Sequence, residues 1–205
     1  MVLNRPGFPP SPLVDRVDFE EHAEWVVERM RGGDHLCGAS YGGVISLYAA
    51  AQAPDLRSLT VVEPPVFGIA ADRPEAVEFV GRLKPLWSDG PREPRAFLAA
   101  FHEVAGRAVE LPDPLPSEQH QGAQILMIER GPWEAEPPLD ELRAARFPKL
   151  VVSGGWNPAF DAVCDVLEER LATERAVVPG RGHLPQLLGE PFNDVLRDFL
   201  RRASE

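Results

Sequence analysis

The sequence predicts an α/β fold, a mostly parallel sheet flanked by helices and interrupted by a helical insertion. Three observations predict it. Short apolar runs alternate with segments of helical periodicity, as strands buried on both faces do. One run ends in a glycine-flanked corner, Leu36-Cys37-Gly38-Ala39-Ser40-Tyr41-Gly42-Gly43, and passes straight into an apolar helix. Residues 64 to 148 carry more than half of the chain's 22 prolines, set between amphipathic helical patterns.

The first helix follows Asp18: Phe19, Ala23, Val26, Val27 and Met30 recur at helical spacing, Asp18 with Glu21 resembles a capping box, and Gly32-Gly33 ends the pattern. His35 to Ala39 is a short strand. Val44 to Ala53 is apolar nearly all round, which suits a helix packed beneath a sheet, and Pro54-Asp55 breaks it before the strand Leu59 to Val62. Within the insertion, Ala76, Phe79, Val80, Leu83, Leu86 and Trp87 form one stripe, and Phe97, Leu98, Phe101 and Val104 another. Lys149 to Val152 is the next strand. A helix with Phe160, Val163, Cys164, Leu167 and Leu171 on one face follows, then a strand at Ala176 to Val178. The last helix opens at Pro191, a favoured first-turn residue, and buries Phe192, Val195, Leu196, Phe199 and Leu200. This organisation makes 1–63 and 148–205 the core and 64–147 the insertion.

Composition narrows the partners. A chain of 205 residues, 44% hydrophobic, can bury a core as one domain, and no apolar run is long enough to span a bilayer. Its net charge of −11 repels nucleic acid and anionic membrane surfaces, which leaves a small, mainly neutral molecule as the expected partner. The start carries no charged-then-apolar leader, so a cytoplasmic location is expected. Cys37 and Cys164 are the only cysteines, too few for a disulfide framework, and no metal-ligand spacing is present, so neither metal nor organic cofactor is expected.

Gly38-Ala39-Ser40-Tyr41-Gly42 fits Gly-x-Ser-x-Gly, in which a strained strand-to-helix turn exposes a serine oxygen. A side chain at either glycine is expected to crowd the turn. The bland alternative is a glycine-rich helix start with a capping serine. A nucleophilic serine needs a base, and His183 sits in the glycine-flanked loop Gly180-Arg181-Gly182-His183 at a strand end, where it can face Ser40. The other histidines have plainer places: His22 in the first helix, His35 at a strand start, His102 and His120 in the insertion.

With these residues in hand, the chain resembles the α/β-hydrolase family from about Arg5 to its C-terminus. Arg5-Pro6-Gly7-Phe8 with Ser11-Pro12 resembles the loop after the family's fourth strand, and the corner at Ser40, the stretch Leu59 to Pro65 and the loop before His183 match in order. The insertion takes the place of the family's helical cap. The resemblance implies that Ser40 is the nucleophile, His183 the base, and the backbone amide of Tyr41 one donor of the oxyanion hole.

Two departures follow. The common family pattern puts the acid in a turn after the strand that is here Leu150 to Val152, and the matching residue is the neutral Asn157, which suits an N-cap before Pro158. Glu63, at the end of the strand after the corner helix, matches the acid position of other family branches, haloalkane dehalogenase-like ones among them. Asp161 is the other carboxylate in range, although its helix face, shared with Asp165 and Glu168, reads as solvated. Either carboxylate, or none, completes the set. The second departure is at the front, where the resemblance implies that the family's first three strands, and with them the second oxyanion donor, are missing. Val2 to Asn4 filling the vacant strand position, a natural piece preceding this sequence, and a loss of hydrolysis are the three explanations. One lost donor costs roughly 10²- to 10³-fold in turnover.

Phe67, Trp87, Phe101 and Trp133 are the candidates for contacting substrate, since ligands in this architecture lie at the carboxyl ends of the strands beneath what covers them. The expected function is hydrolysis of an ester, thioester or lactone of a small apolar molecule by Ser40, His183 and Glu63. Lyase, cyclase or carbon–carbon cleavage chemistry on the same fold, and a non-catalytic ligand-binding or partner protein, are the alternatives. A sheet edge left by missing strands predicts a homodimer.

Overall fold

The computed structural model describes residues 1–53, 55–106 and 109–205. Pro54, read above as a helix breaker, lies outside them. In chain order the elements are α1 (Phe19–Val27), β1 (His35–Ala39), α2 (Tyr41–Gln52), β2 (Ser58–Val62), α3 (Pro74–Leu83), α4 (Pro85–Asp89), α5 (Pro94–Val104), α6 (Ser117–Ile128), α7 (Leu139–Ala144), β3 (Lys149–Ser153), α8 (Pro158–Leu171), β4 (Glu174–Val177) and α9 (Glu190–Arg202). They form two compact units, one of Phe19–Val77 with Pro132–Glu205 and the other of Met1–Asp18 with Glu78–Gly131. The proline-rich texture that begins at Pro64 therefore does not mark the boundary. Residues 64–77 and 132–147 belong with the sheet, and the first 18 residues belong with the helices.

The sheet unit holds four parallel strands in the order β1-β2-β3-β4. Parallel neighbours need crossover connections, and α2 and α8 supply two of them, packing on β1 with β2 and on β3 with β4 respectively. Every residue of β2 and β3 is buried, and each carries an apolar run, Val61-Val62 in β2 and Leu150-Val151-Val152 in β3. Val62, Leu150, Val152 and Val178 form one apolar cluster with Phe192 and Phe199 of α9. Each large side chain so buried contributes roughly 1.5–3 kcal/mol. Strand register places Ala39, Val62 and Val152 side by side, so Ser40 and Glu63 leave the sheet at one level, beside Ser153 at the last position of β3.

Among the described residues β1 pairs only with β2, and its His35 and Cys37 are exposed. The idea that Val2 to Asn4 adds an inner strand is corrected here. These residues form no strand, and Val2 is 90% exposed.

The helical unit is tied by aromatic and polar contacts. Trp87 meets Phe97 and Phe101 edge-on, with ring centres 5.4 and 6.2 Å apart, and its indole N–H donates to the Glu129 carbonyl at 3.0 Å. Gln121 donates to the carbonyls of Gly7 and Ser11. Gly7 adopts φ 87°, and a Cβ there would lie 2.6 Å from Ile125 Cδ1, so only glycine fits. No helix among the described residues is long and apolar enough to cross a membrane.

The same unit buries Glu129, 7% exposed, with Arg5 Nη2 3.3 Å from its carboxylate. Burial pushes this carboxyl up from an ordinary 4.5 to about 7, and the Arg5 charge offsets that only in part. A raised folded-state value means that the native protein binds more protons than the unfolded chain between about 4.5 and about 7. The stabilisation is complete below that window and is lost as pH rises through it, by up to about 3 kcal/mol. Relative to E129Q, the wild type is expected to lose stability as pH rises from 5 to 8, measured by thermal unfolding of both proteins across that range. Parallel curves for the two proteins would refute it.

Candidate active site

The corner at Ser40 is built by close packing. Gly38 has no room for a side chain: a Cβ would lie 2.3 Å from the Gly42 carbonyl oxygen and closer still to Ser46 Oγ. At the other side, the expectation that Gly42 is crowded is not met, because nothing lies within 4 Å of a Cβ there. The tight approach falls one residue later, at Gly43, whose Cβ would meet Pro64 Cβ at 2.9 Å. The corner helix thus rests against the stretch that follows β2.

Ser40 occupies φ 52°, ψ −130°, a region a non-glycine residue enters only when its surroundings force it. Its N–H donates to the Val62 carbonyl at 2.9 Å, and its own carbonyl accepts from Gly43 N–H at 2.7 Å. Although it stands at the N-cap of α2, its side chain makes no capping hydrogen bond. The hydroxyl instead lies 2.8 Å from His183 Nε2. The capping-serine alternative therefore fails at this position.

His183 is brought there by the loop after β4. Val178 N–H still bonds to Ser153 O at 2.8 Å, extending the ladder, and Gly180 and Gly182 then turn the chain at φ 114° and 58°. Its ring packs against Phe160 at 4.7 Å and Trp156 at 6.1 Å between centres.

Glu63 completes the chain of contacts. It also stands at positive φ, 48°, directly after β2 and is 0% exposed. Of the three non-glycine residues at positive φ among those described, Ala172 is an ordinary left-handed helix end, and the other two are Ser40 and Glu63. The Glu63 carboxylate accepts from Gly154 N–H at 2.5 Å, from Trp156 Nε1–H at 2.9 Å and from His183 Nδ1–H at 3.2 Å. With the proton on Nδ1, Nε2 is the acceptor that faces the Ser40 hydroxyl. A base oriented by a fully buried acceptor can take a proton from that hydroxyl.

Asp161 and Asn157 are occupied elsewhere. Asp161 Oδ1 accepts from Ser153 Oγ at 2.8 Å and from Arg175 at 3.3 Å, and Arg175 also reaches Asp165 and Glu168. The acidic face of α8 is solvated, as the helical pattern implies, with Asp165 and Glu168 exposed, and its carboxylates share Arg175. Asn157 Oδ1 accepts from Ala159 N–H at 2.9 Å as the N-cap of α8, with Pro158 at the first position. Cys164, on the buried face of α8, has its thiol pushed up to about 12 by burial, so it is a core residue and not a second nucleophile.

Tyr41 opens α2 and is 6% exposed. Its amide belongs to the first turn, where N–H groups have no carbonyl four residues back and the helix dipole favours negative charge. Phe67 is buried in a short 3-10 turn and meets Phe160 edge-on at 5.2 Å, so it backs the ring that backs His183. Trp133 lies half-buried in the turn Pro132–Glu134 of the same unit. Trp87 and Phe101 belong to the helical unit, in the aromatic cluster with Phe97. Gly154 and Trp156, the two further donors to Glu63, were not singled out from the sequence. Their only signal was their place in the turn after β3. Among the described residues, no group of three or more His, Cys, Asp and Glu side chains is placed to hold a metal ion.

No curated protein matches the sequence. Among solved structures, the chain is similar to a thermophilic esterase from Thermogutta terrifontis, at 18% identity over 97% of this chain and 78% of the other, with a TM-score of 0.61. It is similar to MenH from S. aureus at 16% identity, 98% and 82% coverage and a TM-score of 0.67. An alpha/beta hydrolase from Sphaerobacter thermophilus is 23% identical over 95% and 79% of the two chains, with a TM-score of 0.61. At these identities the likeness is one of fold. The pattern of the alpha/beta hydrolase family itself matches residues 1–195, from the N-terminal loop through the serine corner and the histidine loop into α9. The chain belongs to the α/β-hydrolase family.

Proposed function

We infer that this protein is a serine hydrolase that cleaves an ester, thioester or lactone of a small, mainly apolar molecule through a covalent acyl-enzyme. The observation that carries this reading is the unbroken hydrogen-bonded chain Ser40, His183, Glu63 within one compact unit. Ser40 Oγ attacks the substrate carbonyl carbon while its proton passes to His183 Nε2. The imidazole, now charged, is held by Glu63, and the developing oxyanion is met by the amide of Tyr41. As the tetrahedral intermediate collapses, the leaving group departs with the proton from Nε2. A water molecule then gives that nitrogen a proton as it attacks the acyl carbon, and Ser40 is restored as the acid leaves.

The apolar preference is supported by what stands around the base. Phe160 and Trp156 flank the imidazole, and Phe67 lies behind Phe160. Reaction with a fluorophosphonate is the direct test. The expected result is one covalent adduct on the peptide carrying Ser40, located by mass spectrometry. A folded sample that takes up no probe would leave the chain a ligand-binding member of the family.

A further inference from the structure

We propose that Trp156 is a positioning residue for Glu63, its indole N–H fixing the carboxylate that orients His183; the assignment rests on the hydrolase reading and adds to it a role for the turn after β3. Glu63 is cut off from water, so every donor that its carboxylate has must come from the protein. Two of its three N–H donors belong to one turn, Gly154-Gly155-Trp156, immediately before the N-cap Asn157. The turn that carries the acid in the pattern the chain resembles here carries the acid's donors, and the acid has moved to the end of β2.

The local chain is built for that task. Gly155 adopts φ 59°, and a Cβ on Gly154 would lie 2.1 Å from the Gly182 carbonyl oxygen, so the turn presses directly on the histidine loop. From this position Trp156 reaches both partners. Its Nε1–H donates to Glu63 Oε2, the same oxygen that accepts from His183 Nδ1–H, while its ring lies beside the imidazole and above Gly182. A glutamate has one more torsion than an aspartate with which to swing out of line. Gly154 on Oε1 and Trp156 on Oε2 pin both oxygens. The neighbouring ionisable groups do not share this work, because Asp161 is bonded to Ser153 and Arg175 and the buried Cys164 thiol stays protonated.

Removing the indole N–H leaves Glu63 Oε2 freer to move, which lowers the fraction of His183 held in line with Ser40. In W156F, the rate of fluorophosphonate labelling of Ser40 is expected to fall by roughly 10- to 100-fold, the range for one hydrogen bond to a charged acceptor. Turnover of an ester found to be a substrate should fall by the same factor, while its KM should change little.

The double variant E63Q/W156F separates positioning from general support of the fold. If Trp156 acts through Glu63, adding W156F to E63Q slows labelling by less than about twofold, the non-additive result expected of one coupled unit. Should W156F unfold the protein, β-(3-benzothienyl)alanine at position 156 keeps the shape of the indole without the N–H, and the same fall is expected. A labelled wild type with W156F equally fast, or a full additional loss in E63Q/W156F, overturns this assignment and leaves the hydrolase reading standing. A folded wild type that is never labelled overturns both.

Discussion

Replacing Ser40 by alanine is expected to lower ester turnover on the order of 10⁴- to 10⁶-fold and to abolish fluorophosphonate labelling, with the fold retained. The size follows from what the substitution takes away. It deletes the oxygen that forms the covalent bond, and with it the 2.8 Å contact to His183 Nε2. The backbone is left as it was, since alanine at φ 52° meets the same strain that serine does. Stability should therefore change by no more than about 1 kcal/mol, the net worth of one hydrogen bond. H183A should produce a loss of the same order. The double variant S40A/H183A should be no slower than either single one, because two groups serving one proton transfer are not additive. Turnover at saturating ester, with circular dichroism of each variant, tests this. Turnover of S40A within tenfold of wild type would place the nucleophile elsewhere.

How much of this site could be read from the residues depends on the distance over which the information travels. The corner at Ser40 is a local matter: Gly38, Ser40 and Gly43 lie within six residues, and the steric demand that links them is written in adjacent positions. The strands were legible for a similar reason, since burial on both faces favours short apolar runs such as Leu150-Val151-Val152 in β3. Residues 40, 63 and 183 could be grouped because Ser40 and Glu63 directly follow parallel strands and His183 lies in the loop beyond another. By contrast, the donors that Gly154 and Trp156 offer to Glu63 span 91 and 93 residues, and no periodicity records them. Arg175 gathering Asp161, Asp165 and Glu168 was hidden in the same way, because β4 supplies the cation and α8 the acids. The boundary between the two units was misread from proline content, which reports the frequency of turns and not the distribution of contacts.

Glutamine at position 63 is expected to reduce turnover about 10³- to 10⁴-fold, the range observed when the acid of such a triad becomes an amide. The geometry explains why so small a change costs so much. The carboxylate faces only donors, with Gly154 N–H on one oxygen and both Trp156 Nε1–H and His183 Nδ1–H on the other. An amide has a single oxygen to give them. If that oxygen stays with Trp156 and His183, its NH₂ group is forced against the Gly154 amide, and a buried donor left in that way costs about 1–3 kcal/mol of stability. If the oxygen turns to Gly154, the NH₂ group faces both Trp156 Nε1–H, which is left without an acceptor, and His183, which moves its proton to Nε2. The imidazole then points an N–H at Ser40 Oγ and can no longer take the serine proton. Both orientations leave one buried N–H donor unmatched and cost stability, and only the second also loses the base, so the size of the kinetic loss reports which one the variant adopts. D161N, which touches Ser153 and Arg175 instead, should keep turnover within a few-fold, roughly the scale of surface substitutions. The reverse pattern, with D161N slow and E63Q fast, would move the acid from the end of β2 to α8.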